Sequence, residues 1–177
     1  MMGDLLRKET RMKILLPVDG SASSLEAVRG VVRLVDEGLR ASVVLANVQE
    51  PASLYELLRL HDAQAIERIS AAAGASALEV AQALLERAEI AYESQVSTGD
   101  PAHTIVDLVE RYACDAVWMG ARGLGTQRSA VLGSVAHEVL HAASVPVTIF
   151  KGAPEAGDEL VSDEAGLAGE SEPGDVR

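Results

Sequence analysis

The chain has 177 residues, enough for one well-packed domain and too few for two once its acidic last segment is set aside. The net charge of −12 and the presence of only three lysines argue against a nucleic-acid surface, because phosphate backbones are bound by clustered positive charge. Apolar residues make up 48% but aromatic residues only 3%, which suits helices packed on a sheet of branched side chains.

The two ends of the chain differ from its middle. We expect residues 1–11 to be a flexible extension and residues 152–177 an acidic disordered tail with little apolar surface to bury. No apolar run approaches the roughly 18 residues that span a bilayer, and the start lacks the apolar stretch of a signal peptide. We therefore predict a cytoplasmic protein without membrane contact, whose one domain covers residues 12–151. Its single cysteine, Cys114, excludes an internal disulfide.

Short apolar runs alternate with helical patterns along this domain. In the first helical pattern, Leu25, Val28 and Val32 recur at spacings of three and four. The stretch between the second and third strands predicts one short helix and one long one, with Gly74 leaving its middle uncertain. Asp100 can cap the third helix, with Pro101 at its first position, and a fourth helix begins at Gly133. Strands are predicted at residues 13–18, 41–48, 92–97, 115–120 and 145–150.

Strands that alternate with helices predict an α/β fold of the Rossmann-like kind. Because each parallel crossover returns over the sheet, helices should cover both faces of a parallel five-stranded sheet. Ligands of such sheets bind at the carboxyl ends of the strands, where the winding reverses. The fifth strand would be an apolar edge, which invites pairing with a second copy of the chain.

A glycine-rich loop, GARGLGTQRSAVLGS, joins the fourth strand to the fourth helix. Its glycines at 120, 123 and 133 would let a phosphate approach the backbone and meet the N–H groups that open the helix. Ser134 is placed at the predicted N-cap, where its hydroxyl serves either the helix or a phosphate. The loop lacks the lysine of a Walker motif, and GLGTQR departs from the GxGxxG dinucleotide fingerprint.

The spacing G-x2-G-x9-G-S, formed by Gly120, Gly123, Gly133 and Ser134, resembles that of the universal stress protein family. PVDGS after the first strand, TGDP before the third helix and GSVAHEVL…SVPVTIF near the end add to the resemblance over residues 12–151. The resemblance implies strand order 3-2-1-4-5, a homodimer and the binding of ATP, or of AMP or ADP, with Mg²⁺ or Mn²⁺ held through the phosphates.

The resemblance also implies which residues contact the nucleotide. The first-strand residues would lie beside the base and ribose, Val48 would touch the adenine, the start of the loop would line the ribose and first phosphates, and the start of the fourth helix would hold the outer phosphates. These residues are Pro17, Val18, Asp19, Val48, Met119, Gly120, Arg122, Gly123, Gly133, Ser134, Val135 and Ala136. Many relatives carry Ser or Thr where this chain has Ala136, so a hydroxyl that could reach the terminal phosphate is absent here. The resemblance therefore supports adenine nucleotide binding more strongly than a preference for a triphosphate.

Simpler interpretations stand beside these contacts. Asp19 could only cap the first helix, since DGS suits a cap whether or not a nucleotide is present. Arg122 and Arg128 could be solvated loop charges. No nucleophile or clear general base is expected at the phosphates, so we predict no catalytic residue and at most slow ATP hydrolysis.

The stretch HEVLH, from His137 to His141, resembles the zinc-binding helix of metalloproteases. A buried stripe of Val135, Ala136, Val139, Leu140 and Ala143 would leave the two histidines on a flank of the fourth helix. No third ligand is evident, and His61 and His103 show no partner. Two solvated histidines explain the motif better than a protease, and no metal site of protein ligands is predicted.

Two functions remain from the sequence. The first is a regulatory protein of the stress response that binds an adenine nucleotide and responds through its conformation or dimer contacts. The alternative is a dimeric interaction or scaffold module that works without nucleotide, which the alanine at position 136 favours.

Overall fold

The computed structural model describes residues 11–51, 63–124 and 132–151. The predicted tail, the predicted short helix after the second strand, Arg128 and all of the N-terminal extension but Arg11 lie outside these ranges. The strands are β1 (Met12–Pro17), β2 (Ala41–Gln49), β3 (Tyr92–Thr98), β4 (Ala116–Gly120) and β5 (Val147–Phe150). The helices are α1 (Ala22–Asp36), α2 (Ala63–Arg87), α3 (Pro101–Tyr112) and α4 (Ser134–Ala142).

The strands form one parallel sheet in the order β3-β2-β1-β4-β5, which confirms the predicted α/β fold. β5 begins two residues later than predicted. Pro146 has no N–H to donate to the sheet, although its carbonyl accepts the N–H of Val117 at 2.9 Å.

Side chains alternate between two buried layers, as expected for a sheet covered on both faces. Ile14 and Leu16 belong to a cluster with α1 and α2, whereas Leu15 between them belongs to a cluster with α3 and α4. All three are fully buried. Among the described residues, no helix is both long enough and apolar enough to span a bilayer.

The local sequence explains where α1 begins and where α3 begins and ends. Ser21 caps α1 by accepting the N–H of Ser24 at 3.1 Å. Asp100 caps α3 with Pro101 at the first turn, which confirms that prediction. α3 ends at Ala113, whose left-handed conformation (φ 49°) closes the helix.

Two glycines inside helices lie where another side chain occupies the space that a methyl group would need. A Cβ on Gly30 of α1 would overlap the ring of Phe150, which closes β5. A Cβ on Gly74 of α2 would lie 2.7 Å from both Asn47 Oδ1 and a methyl group of Val96. α2 runs without interruption through Gly74. The sequence had left it open whether the helix continues at this residue.

Candidate functional site

The winding of the sheet reverses between β1 and β4, and the candidate site lies at their carboxyl ends. β1 pairs with β2 on one side and with β4 on the other, so the chains leaving Pro17 and Gly120 diverge to opposite faces. The crevice that opens at such a reversal is the usual ligand position in parallel α/β sheets. Pro17 is half-buried there, and Val18 is buried.

The segment after β1 is fixed by hydrogen bonds to its neighbour β2. The N–H of Val18 donates to the Ala46 carbonyl at 2.8 Å, and the side-chain amide of Asn47 donates to the Val18 carbonyl at 2.7 Å. Asn47 is 2% exposed, and its own oxygen accepts from Gln49 Nε2 at 2.6 Å. This buried amide holds the backbone that presents Asp19.

Asp19 joins the two loops that border the crevice. Its Oδ1 accepts the N–H of Ser21 and its Oδ2 accepts the N–H of Leu124, both at 3.0 Å. The cap of α1 is Ser21, so the interpretation of Asp19 as the helix cap is wrong. Its carboxylate instead ties the end of β1 to the loop after β4.

The first residues of the glycine-rich loop are bonded to the start of α1 and to the end of β5. Ser21 Oγ donates to the Arg122 carbonyl, and the Arg122 N–H donates to Ser23 Oγ, each at 3.3 Å. The Ala121 N–H donates to the Phe150 carbonyl at 2.7 Å, and the Ala121 carbonyl accepts from Gly133 at 2.8 Å. The two ends of the loop therefore meet at Ala121.

Close packing explains why two positions of the motif are occupied by glycine. A Cβ on Gly120 would lie 2.6 Å from the backbone carbonyl carbon of Ser23, so β4 passes α1 too closely for any side chain. A Cβ on Gly123 would lie 2.6 Å from Asp19 Oδ2. Gly120 therefore lets β4 pass close to α1, and Gly123 lets the loop approach the carboxylate of Asp19, in addition to any approach that either permits to a ligand.

The N-terminus of α4 has no side-chain cap. Its N-cap is Gly133, not Ser134 as the sequence suggested, and no side chain caps it. Ser134 is the first helical residue and is exposed, because the extended conformation that marks a cap (φ −73°, ψ 158°) falls one residue earlier. The first helical bond runs from the His137 N–H to the Gly133 carbonyl. The N–H groups of residues 134–136 precede that bond, so they have no acceptor within the helix.

The remaining predicted contacts lie near the ends of β2 and β4 and at the start of α4. Val48 is half-buried near the end of β2, and Met119, next to the end of β4, is 5% exposed. Val135 is half-buried, and Ala136 is 3% exposed and packed with Val139 in the α3–α4 cluster. The methyl group of Ala136 therefore faces the core, which leaves its backbone N–H as the group that can meet a ligand.

The histidine motif of α4 lies on the outer surface. His137 and His141 are exposed, with ring centroids 4.7 Å apart. Leu140, predicted to be buried, is 43% exposed, so the apolar stripe of this helix is narrower than expected. Within the described residues, no imidazole, thiol or carboxylate completes a three-ligand set with the pair.

His103, for which the sequence showed no partner, does have one in Asp100. Its Nδ1 lies 2.9 Å from Asp100 Oδ1, which also accepts the His103 backbone N–H at 2.9 Å. That backbone N–H is the main reason why the pKa of the Asp100 carboxyl is lowered. The spacing Asp-x-x-His across a helix start was the signal that could have identified this pair.

Comparison with known proteins places this geometry in a family. A family model described as the universal stress protein family matches residues 10–151. A universal stress protein of Methanocaldococcus jannaschii is 29% identical over 139 residues, which cover 78% of this chain and 81% of that protein.

Solved structures share the fold at lower identity. The hypothetical protein MJ0577 superposes with a TM-score of 0.70 at 23% identity, over 81% of this chain and 97% of that one. A family member from Arabidopsis thaliana, with AMP bound, gives 0.58 at 22% identity, covering 87% and 98%. A universal stress protein in complex with cAMP gives 0.57 at 22% identity, covering 81% and 98%. Because the family model covers most of the chain, this protein belongs to the universal stress protein family.

Proposed function

We propose that the protein binds an adenine nucleotide in the crevice between β1 and β4 and acts as a regulatory protein of the stress response. The observation that carries this proposal is the open N-terminus of α4. Its first N–H groups have no acceptor within the helix and carry its partial positive charge, which suits a phosphate, and the Gly133–Ala121 hydrogen bond holds this helix start beside the loop. The AMP and cAMP bound by two proteins of the same fold support an adenine nucleotide.

In this proposal each element supplies one part of the nucleotide's surroundings. The end of β1 borders the base and ribose, Val48 contacts the adenine, the start of the loop lines the ribose and first phosphates, and the start of α4 receives the outer phosphates. The proposed contacts are Pro17, Val18, Asp19, Val48, Met119, Gly120, Arg122, Gly123, Gly133, Ser134, Val135 and Ala136. ATP, with Mg²⁺ or Mn²⁺ held by its own phosphates, would use the full length of this site.

The alanine at position 136 is compatible with a bound phosphate. Because its methyl group is packed in the core, a serine there would have to place its hydroxyl against the core cluster or turn it toward its own helix. Every residue except proline provides a backbone N–H at this position. We therefore assign the outer phosphates to the N–H groups of Ser134, Val135 and Ala136 together with the hydroxyl of Ser134.

The proposed output is conformational and not catalytic. Both carboxylate oxygens of Asp19 are engaged by backbone N–H groups, so this residue is poorly placed to activate water. The Phe150 carbonyl accepts from Ala121 N–H at 2.7 Å and from Ser23 Oγ at 3.2 Å. A nucleotide that reshapes the loop would therefore act directly on the end of β5, the edge through which we propose that two copies pair.

The test replaces one backbone donor and leaves the helix intact. Proline is tolerated at the first helical position, and Gly133 already has the extended conformation that a residue before proline requires. Ser134→Pro thus removes the N–H and the hydroxyl, whereas the matched control Ser134→Ala removes the hydroxyl alone. The measurement is a calorimetric titration with ATP, ADP and AMP in the presence of Mg²⁺. The Ser134→Pro variant should bind roughly tenfold or more weakly than the Ser134→Ala variant, because a hydrogen bond to a charged acceptor contributes about 1.5–3 kcal/mol.

A second candidate function is a scaffold that needs no nucleotide. It is favoured by the hydrogen bonds that already close the Asp19 carboxylate onto Ser21 and Leu124. In that case the wild-type protein would bind none of the three nucleotides, and denatured preparations would release none. Equal affinities of the Ser134→Pro and Ser134→Ala variants would instead place the nucleotide away from α4.

A further inference from the structure

We infer that Asp100, His103 and Glu138 form a binding site for a divalent transition metal of the zinc class, which would join the start of α3 to α4. Asp100 is the N-cap of α3, His103 lies in the first turn of α3 and Glu138 lies in α4, up to 38 positions away in the sequence. One donor atom from each lies within 4.8 Å of the other two. Within the described residues this is the one such group of three.

The distances suit a shared ion after a small adjustment. Metal–ligand bonds of about 2.1 Å place tetrahedral ligands about 3.4 Å apart. Asp100 Oδ1 and His103 Nδ1 are 2.9 Å apart, so they must separate by about 0.5 Å to reach this distance. The remaining adjustment falls on Glu138, whose long exposed side chain can reach closer by changing its rotamer.

Two of the ligands are positioned by the backbone before any ion arrives. Asp100 is the N-cap of α3, so the bond from the His103 N–H fixes its carboxylate in place. α3 and α4 pack side by side in one core cluster, through Ala102 and Ile105 on α3 and Val139 on α4. The ligands therefore project from rigid elements, which reduces the entropy lost on binding.

The ligand types select the metal class. An imidazole with two carboxylates suits zinc and its neighbours in the first transition row, whereas Mg²⁺ and Ca²⁺ prefer oxygen ligands alone. All three residues are exposed, so an ion reaches them without the cost of burying their charges, and water completes its coordination. Two carboxylates supply negative charge that attracts a cation.

The neighbouring His137–His141 pair is the competing site on the same helix. Histidines four apart on a helix can also share an ion, and these rings are 4.7 Å apart. Glu138, although it lies between them in the sequence, groups with α3. The two possibilities differ in which variants lose the metal, so they can be separated directly.

The experiment is a calorimetric titration of ZnCl₂ into the full-length protein, free of any histidine tag and treated with a chelator, with Co²⁺ absorption as a second readout. We expect one saturable zinc per chain, lost in His103→Ala and in Glu138→Gln and retained in the His137→Ala/His141→Ala double variant. Both single changes are at exposed positions, and circular dichroism verifies their folding. Absence of saturable binding to the wild type, or binding that disappears in the double variant and survives in His103→Ala, would overturn the assignment.

Discussion

The carboxylate of Asp19 accepts the backbone N–H of Leu124 at 3.0 Å, a contact between residues 105 positions apart. It connects the end of β1 with the loop after β4 across the point where the winding of the sheet reverses. Its other oxygen accepts the N–H of Ser21, so one side chain orders both borders of the crevice.

Asp19→Ala should therefore destabilise the protein by about 1–3 kcal/mol, because two backbone donors lose a charged acceptor. Asp19→Asn keeps one oxygen acceptor and should lose less. Urea unfolding followed by the fluorescence of Trp118 measures both changes, with Asp107→Ala on the exposed face of α3 as the control. Equal stability of Asp19→Ala and this control would show that the two hydrogen bonds contribute nothing to folding.

Gly30→Ala should destabilise the protein although it raises helix propensity. The added methyl group would overlap the ring of Phe150, which stacks at a tilt on Trp118 with centroids 5.6 Å apart. Overpacking of this kind costs about 1–3 kcal/mol. In a Phe150→Ala background the same change should become neutral or stabilising by up to about 1 kcal/mol, because alanine is the better helix former.

The sign reversal between these two backgrounds is the measurable result. Thermal or urea unfolding of the four proteins in the cycle gives the coupling between positions 30 and 150. Additive effects would mean that the ring moves aside without cost, and Phe150 would not be the reason for glycine at this position.

The strands could be predicted from the local pattern and their order from the family resemblance, whereas the exact ends of several elements could not be predicted. β1 and β2 contain continuous apolar runs, at residues 14–16 and 43–46, because both faces of the sheet are covered, and such runs are a strong local signal. β5 starts late because Pro146 lacks an N–H, and the sequence alone did not show which of its groups the sheet would use. Leu140 was expected inside because its position continues the helical spacing, but α4 touches its neighbours over a narrower face.

The candidate site was predictable in its location and less so in its contacts. The glycine spacing indicated a loop that approaches something closely, but the partner of Gly120 is the backbone of Ser23, which only the folded chain brings there. The cap of α4 fell on Gly133 because backbone conformation, and not the capping preference of Ser134, decided it. Hydrogen bonds between segments far apart in the chain could not be predicted, because only folding brings these segments together.

Stability should depend on acid pH through Asp100. The His103 backbone N–H lowers the pKa of this carboxyl in the folded protein below its ordinary value of 3.8. A lowered pKa means that the ionised carboxylate stabilises the fold. This stabilisation is complete at pH values above the pKa of the unfolded chain, and it is lost as the pH falls through the pKa of the folded protein. Wild type and Asp100→Asn, compared in a buffer with chelator, should differ by a constant amount at neutral pH and converge below pH 3.8.

This comparison needs unfolding measured at several pH values between neutral and strongly acidic. Asp107→Asn is the control, because Asp107 is an exposed carboxylate in the middle of α3 and is not its cap. A difference between wild type and Asp100→Asn that grows as the pH falls would contradict the assigned direction.

Cys114 should react slowly with thiol reagents. Its side chain is 5% exposed, and burial is the main reason why the pKa of its thiol is raised. Reaction requires both opening of the structure and loss of the proton. With Ellman's reagent at neutral pH, the native protein should react at least roughly a hundredfold more slowly than the urea-unfolded chain. A Cys114→Ser/Ser144→Cys variant, with its thiol at an exposed position, serves as the accessible control.

Gly74→Ala tests whether a buried amide connects α2 to the candidate site. Alanine should favour the helix by about 1 kcal/mol over glycine, but its methyl group would lie 2.7 Å from Asn47 Oδ1 and from Val96. Asn47 holds the Val18 carbonyl at 2.7 Å, so its displacement reaches the residue before Asp19. We expect a net loss of stability together with weaker nucleotide binding.

Ser76→Ala is the matched control for Gly74→Ala, because it raises helix propensity at an exposed position two residues along the same helix. It should stabilise α2 slightly and leave the nucleotide affinity unchanged. Val96→Ala removes one of the two clashes, so it should restore part of the stability lost in Gly74→Ala and little of the affinity, because Asn47 remains displaced. If Gly74→Ala lowered stability but bound nucleotide like the wild type, the Asn47 amide would support the sheet alone and would not set the position of Val18.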